Sequence, residues 1–170
     1  MSKKKGFSLV ELLIVLAVMA ALIATITPVA LNAIKKSKAT QVAQNLKTLA
    51  SAIENAAYVN GADASGIKQP DGNSYFTAED DIKLLARDIN ADHYGIAYKI
   101  YTGTDAGKVD VYIRTDESVD PGIVAETLMS ATKVTSAITD ADDYDDYKVI
   151  GNDFTTATTG IQYTFTFNVY

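Results

Sequence analysis

The chain has 170 residues, a formal net charge of −6, 48% hydrophobic residues and no cysteine. That length allows one small domain with its own core beside a long terminal segment. The absent thiols exclude disulfides, thiolate catalysis and cysteine-ligated zinc, and the acidic balance speaks against a nucleic-acid partner, which needs a basic face.

Lys3, Lys4 and Lys5 open the chain, and from Leu9 to Leu31 the only formal charge is Glu11. At about 1.5 Å per residue, that apolar run matches the roughly 30 Å hydrocarbon core of a bilayer. Lysines ahead of it predict an N-in, C-out span carrying an exported domain. Glu11 is out of place there, since an acidic side chain in the bilayer costs roughly 2.5–3.5 kcal/mol. Either it meets a cation or, six residues after Lys5, it reaches back to the cytoplasmic face. Pro28 removes a backbone donor and predicts a kinked or loosened turn, with Thr25 and Thr27 near enough to take up freed carbonyls.

Between Lys35 and Tyr58 there is no Gly or Pro, and Ala39, Val42, Leu46, Leu49, Ile53 and Ala56 recur at steps of three and four. The helix therefore continues as an amphipathic one with a single face to cover. Asn60-Gly61 ends it. Gly61 to Ser74 reads as a polar connection with a Pro70-Asp71-Gly72 turn. Thr77 with Asp80 suggests a cap for a helix over 78–90, with Ile82, Leu85, Ala86 and Ile89 inward. Tyr94–Tyr101 and Val109–Arg114 alternate as a hairpin about a turn at 102–107. Asp120-Pro121 starts a helix over 121–137, with Val124, Leu128, Ala131 and Val134 toward the core. Tyr147–Ile150 reads as a short strand, and 151–160 as a Thr-rich loop. Ile161, Tyr163, Phe165, Phe167 and Val169 form the clearest period-two run, a strand able to secure the C-terminus without a disulfide. The class is α+β: a long helix, apolar then amphipathic, packed on an antiparallel sheet. Its segments are 1–6, 7–34 and 35–170.

The stretch Gly6-Phe7-Ser8-Leu9-Val10-Glu11 and the apolar run behind it resemble the class III leader and helix start of type IV pilins, in particular type IVa-like major pilins, and of the related type II secretion pseudopilins. The resemblance is close over about the first 35 residues. Beyond them it is one of architecture, and a helix between strands at 121–137 departs from the plainest pilin pattern. It implies that a prepilin peptidase cuts between Gly6 and Phe7 and methylates the new Phe7 amine. It implies that Glu11 neutralises that amine on a neighbouring subunit, and that Pro28 marks a stretch of helix that melts in filaments. It also implies a precursor in the cytoplasmic membrane, an assembly platform and a helical homopolymer as partners, and an extracellular pilus serving adhesion, motility or DNA uptake. Losing the leader's three lysines takes the net charge from −6 to −9. A pseudopilin of a secretion or competence apparatus and a minor adhesive pilin are the alternatives, though Glu11 favours a body subunit over a tip.

Other chemistry is sparse. Asp140, Asp142, Asp143, Asp145 and Asp146 crowd one stretch whose composition suits calcium, as in some pilins and pseudopilins. Their spacing is not that of an EF-hand, and a solvated acidic loop is the plainer reading, so no cofactor is expected. His93, the single histidine, reads as structural. The ten tyrosines fall mostly on predicted strands, and none lies between Phe7 and Tyr58 on the helix, which leaves no aromatic ladder along it. No catalytic constellation can be assembled, so the chain reads as an enzyme's substrate and not as an enzyme.

Overall fold

The computed structural model of the chain describes residues 6–135, 147–152 and 159–169. It divides into two units, Met1–Ser37 and Lys38–Tyr170. One helix, α1 (Leu9–Asn60), supplies nearly all of the first unit and the opening of the second.

In the second unit α1 buries the expected stripe of Ala39, Val42, Leu46, Leu49, Ile53 and Ala56, widened by Ala43, Ala50 and Ala57. It stops at Asn60 because Gly61 takes a left-handed φ of +90°. Facing that stripe is a five-stranded antiparallel sheet built from β3 (Tyr94–Ile100), β4 (Lys108–Thr115), β5 (Ala131–Val134), β6 (Lys148–Gly151) and β7 (Gly160–Asn168), in the order β5-β7-β4-β3-β6. The register sets Tyr98 opposite Val111 and Val111 opposite Phe165. Period two then puts Ile96, Tyr98, Val109, Val111, Ile113, Tyr163 and Phe167 into one core with the helix stripe. β7 lies between β4 and β5 and is paired on both sides. The last strand is thus an interior one, and ladder hydrogen bonds hold the C-terminal run as expected. The Tyr58 hydroxyl adds a bond to the Asn168 carbonyl at 3.0 Å, across 110 residues of sequence.

Several expected boundaries move. The polar connection after α1 holds a two-stranded ribbon, β1 (Ala62–Asp63) and β2 (Gly66–Ile67). Its anchor is Tyr98, whose hydroxyl accepts from the Ile67 N–H at 3.1 Å and donates to the Phe76 carbonyl at 2.8 Å. Burial pushes that phenol up to about 12. The turn at Pro70-Asp71-Gly72 forms as expected, with Gly72 at φ +74° and the Asp71 carboxylate accepting from the Asn73 and Ser74 N–H groups.

The helix expected over 78–90 shrinks to a 3₁₀ turn at Glu79–Asp81 and one α turn, α2 (Ile82–Leu85). The cap is displaced by one residue: Asp81, not Asp80, reaches back to the Thr77 and Ala78 N–H groups at 2.9 and 2.8 Å. Gln69 also donates to Asp81 at 3.0 Å, tying the short helix to the preceding connection. Asp80 pairs instead with Lys83 on the surface.

The helix expected over 121–137 is only α3 (Pro121–Thr127), capped by Asp120 as anticipated. Ala131–Val134 is a strand at the sheet edge, paired with β7. Ala131 is still buried, but as a strand residue opposite Tyr163. Thr132, Val134 and Thr135 are β-branched and stiff at χ1, and the open edge of β7 offers them a ladder that a helix could not. The short strand near 147 begins at Lys148 and reaches Gly151. Only glycine fits at that last position: φ is +77° and a Cβ would lie 2.5 Å from the Tyr94 carbonyl oxygen.

Candidate functional site: the N-terminal segment

In the first unit Gly6, Phe7 and Ser8 lie outside the helix and are exposed. A Cβ built on Gly6 would meet nothing within 4 Å. The chain's own packing therefore places no demand for glycine there, and any such demand must come from a partner. Phe7 is 87% exposed.

The start of α1 is built by Ser8 and Glu11. The Ser8 N–H donates to Glu11 Oε2 at 2.8 Å, the Val10 N–H approaches Ser8 Oγ at 3.4 Å, and the Leu12 N–H gives the first helical rung to the Ser8 carbonyl at 3.2 Å. This is the glutamate half of a Ser-x-x-Glu capping box, with the Ser8 hydroxyl serving the Val10 amide one residue earlier than in the full reciprocal box. A carboxylate in the first turn also suits the positive end of the helix dipole. Sequence reasoning treated Glu11 as a misfit charge and passed over Ser8, although the spacing of the two alone signals the box.

Beyond the cap, sixteen large apolar side chains from Phe7 to Ile34 are exposed. α1 is long and apolar enough to cross a membrane, and none of its most apolar stretch is buried. Pro28 stands inside the helix. The Thr25 and Thr27 hydroxyls donate to the Ala21 and Ile23 carbonyls at 2.6 and 2.7 Å. Neither serves Ala24, the carbonyl that Pro28, lacking an N–H, leaves without its usual donor four residues on. The threonines thus reinforce neighbouring rungs instead of replacing the missing one.

The remaining candidates lie elsewhere. His93 Nδ1 stands 2.8 Å from Asp116 Oδ1, and the hydrogen bond to that carboxylate raises the imidazole pKa. The pair closes the open end of the β3–β4 hairpin, where the Asp116 N–H also reaches the His93 carbonyl at 3.4 Å. Asp140, Asp142, Asp143, Asp145 and Asp146 lie outside the described residues. Among the described residues no group of three or more His, Cys, Asp or Glu side chains is placed to hold a metal ion. The structure thus places Gly6, Phe7 and Glu11 at one exposed helix start in the first unit, whereas His93 belongs to the second.

The family model for the prokaryotic N-terminal methylation motif matches residues 1–27. Those residues carry the Gly6-Phe7 pair, the capping Glu11 and most of the apolar stretch just described. The match spans 27 of the 170 residues, so over that stretch the chain is similar to class III prepilins and type IV pilin-like proteins. No curated protein and no solved structure matches it. Two features carry the likeness to prepilins: the motif, and a long apolar helix running into an α+β domain of pilin-like fold. The motif implies processing by a prepilin peptidase and pilus-type assembly in general, and families that bear it are structural or secretion subunits. The motif and the apolar helix fit a membrane-anchored precursor.

Proposed function

We propose that the chain is a prepilin and the structural subunit of a type IV pilus. The peptidase cleaves between Gly6 and Phe7 and methylates the Phe7 amine, and the processed chain waits in the cytoplasmic membrane until an assembly platform draws it into a helical homopolymer. The observation that carries this reading is the bare apolar surface from Phe7 to Ile34, preceded by an exposed Gly6–Phe7 bond outside the helix. Burying sixteen such side chains is worth roughly 25–45 kcal/mol, and none of the most apolar stretch is buried. Lipid covers them first and neighbouring helices afterwards. Each helix moves from one apolar surrounding to another, so extraction forfeits little hydrophobic energy.

Glu11 takes part in both states. In the single chain it caps its own helix through the Ser8 N–H. Cleavage creates an ammonium on Phe7, and in the filament that of a neighbouring chain supplies the cation a carboxylate needs in apolar surroundings. Glu11→Ala is therefore expected to be cleaved normally but to assemble poorly, and normal piliation in that variant would sink the pairing.

The deciding experiment is mass spectrometry of the N-terminal peptide from filaments sheared off the native host. An abundant chain beginning at methylated Phe7 is the expected result. A processed chain confined to the membrane fraction would place the protein in a short secretion-type pseudopilus, and an intact Met1 start would overturn the processing itself.

A further inference from the structure

On the face of the sheet turned away from the α1 stripe lies an open depression of about 320 Å³, at the small end of the range for ligand sites. Period two puts Asp110 and Tyr112 of β4 on that face, and the register sets them directly beside Thr166 and Thr164 of β7. Lys108 lines the depression with them. Asp110 accepts from the Thr166 hydroxyl at 2.7 Å and from Lys108 Nζ at 3.2 Å. Burial opposes its charge, yet hydrogen bonds from Thr166, Tyr101 and Lys108 outweigh burial and hold the carboxyl below its ordinary value. Lys108 Nζ also lies 4.6 Å from the centre of the Tyr101 ring, a second hold on its position. The Tyr112 ring is braced edge-on by Tyr147, with ring centres 5.5 Å apart. The polar groups are therefore set in advance, and the ammonium and the carboxylate cancel.

We infer that this depression binds a neutral saccharide. A sugar ring lies against Tyr112, its hydroxyls donating to Asp110 and accepting from Lys108 and the two threonine hydroxyls. Donors and acceptors alternate within one patch, so a ligand must offer both, as the adjacent hydroxyls of a sugar do. An anion would meet the Asp110 carboxylate and a cation the Lys108 ammonium, and either repulsion weighs against a charged ligand. The negative face of an aromatic ring favours the slightly positive C–H groups on a sugar's apolar side. An open site buries only part of its ligand, so the expected dissociation constant is on the order of 1 mM. The site belongs wholly to the second unit, and the inference goes beyond the filament role.

The test uses the full chain in phosphatidylcholine nanodiscs, which bring no sugar of their own. Lactose, cellobiose, maltose and N,N′-diacetylchitobiose are titrated in turn, and saturation-transfer NMR reads binding against empty nanodiscs. Transfer to at least one of them is expected. For that sugar, Asp110→Asn and Tyr112→Ala should each raise the dissociation constant about tenfold, with circular dichroism confirming an unchanged fold. Thr166→Val keeps a β-branched strand residue while removing the hydroxyl, and it decides the matter should either of the others lose structure. No transfer to any of these sugars, or an equal dissociation constant in the folded variants, overturns the site. Transfer confined to a heparin disaccharide titrated alongside overturns it in favour of anion binding at Lys108.

Discussion

The two stretches of α1 obey opposite rules although they belong to one helix. From Ala39 to Ala57 its apolar residues return at steps of three and four, and the sheet buries them. From Leu9 to Ile34 they point all round, and those named as exposed show half or more of their surface. A one-sided stripe specifies a single partner, which the chain provides for itself. An all-round apolar surface specifies only an apolar environment, which lipid and a bundle of identical helices can both supply. The difference is what suits one part of the helix to a permanent core and the other to a change of surroundings.

The largest expected effect separates chemistry from folding. Because a Cβ at Gly6 meets nothing, Gly6→Val should leave the folded unit's melting temperature unchanged. It should at the same time abolish the mature product and leave uncleaved precursor in the membrane, as an immunoblot of the membrane fraction would show. A mature-length band in that variant would refute the assignment of the cleaved bond.

Next come the two halves of the helix set against each other. Leu46 is fully buried, and Leu46→Ala should cost the second unit about 2–5 kcal/mol. Leu13→Ala, on the bare stretch, should leave thermal unfolding of that unit unaltered. Equal losses in the two variants would break the contrast. A smaller effect is expected at Tyr98, whose hydroxyl bridges the Ile67 N–H and the Phe76 carbonyl. Tyr98→Phe leaves both groups buried and unpaired, for about 1–3 kcal/mol in denaturant unfolding. Retained stability would mean that the ribbon after α1 is not held through this hydroxyl.

Much of this was legible in the residues. The helix stripe, the β3–β4 hairpin and the interior C-terminal strand follow from local periodicity, and each has enough length to express it. The failures share a cause. Residues 131–134 carry a short apolar pattern that a helix could use, but the open edge of β7 decided the matter, and no local signal reports a distant edge. The same holds at 82–90, where one α turn forms before the backbone extends at Ala86. At the N-terminus the methylation motif was plain from sequence. The capping box was equally written there, in Ser8 and Glu11, and was hidden by attention to charge alone.

The smallest prediction concerns the second unit only. Asp116 raises the His93 pKa above its ordinary value of 6.5. The folded chain therefore binds that proton more tightly than the unfolded chain does. The resulting stability is fully present below about 6.5 and is lost as pH rises through the higher folded value. His93 is half exposed and its partner a quarter exposed, so solvent screens the pair and the contribution stays within a fraction of a kcal/mol. His93→Gln should flatten this part of the profile when melting temperature is followed from about pH 5 to about pH 9. The wild-type chain should lose a degree or two across that window relative to the variant. A loss of the opposite sign, with stability rising as the imidazole is deprotonated, would mean that Asp116 does not hold the charged ring. A first-unit variant such as Leu13→Ala should follow the wild-type profile, because the pair closes a hairpin that belongs wholly to the second unit.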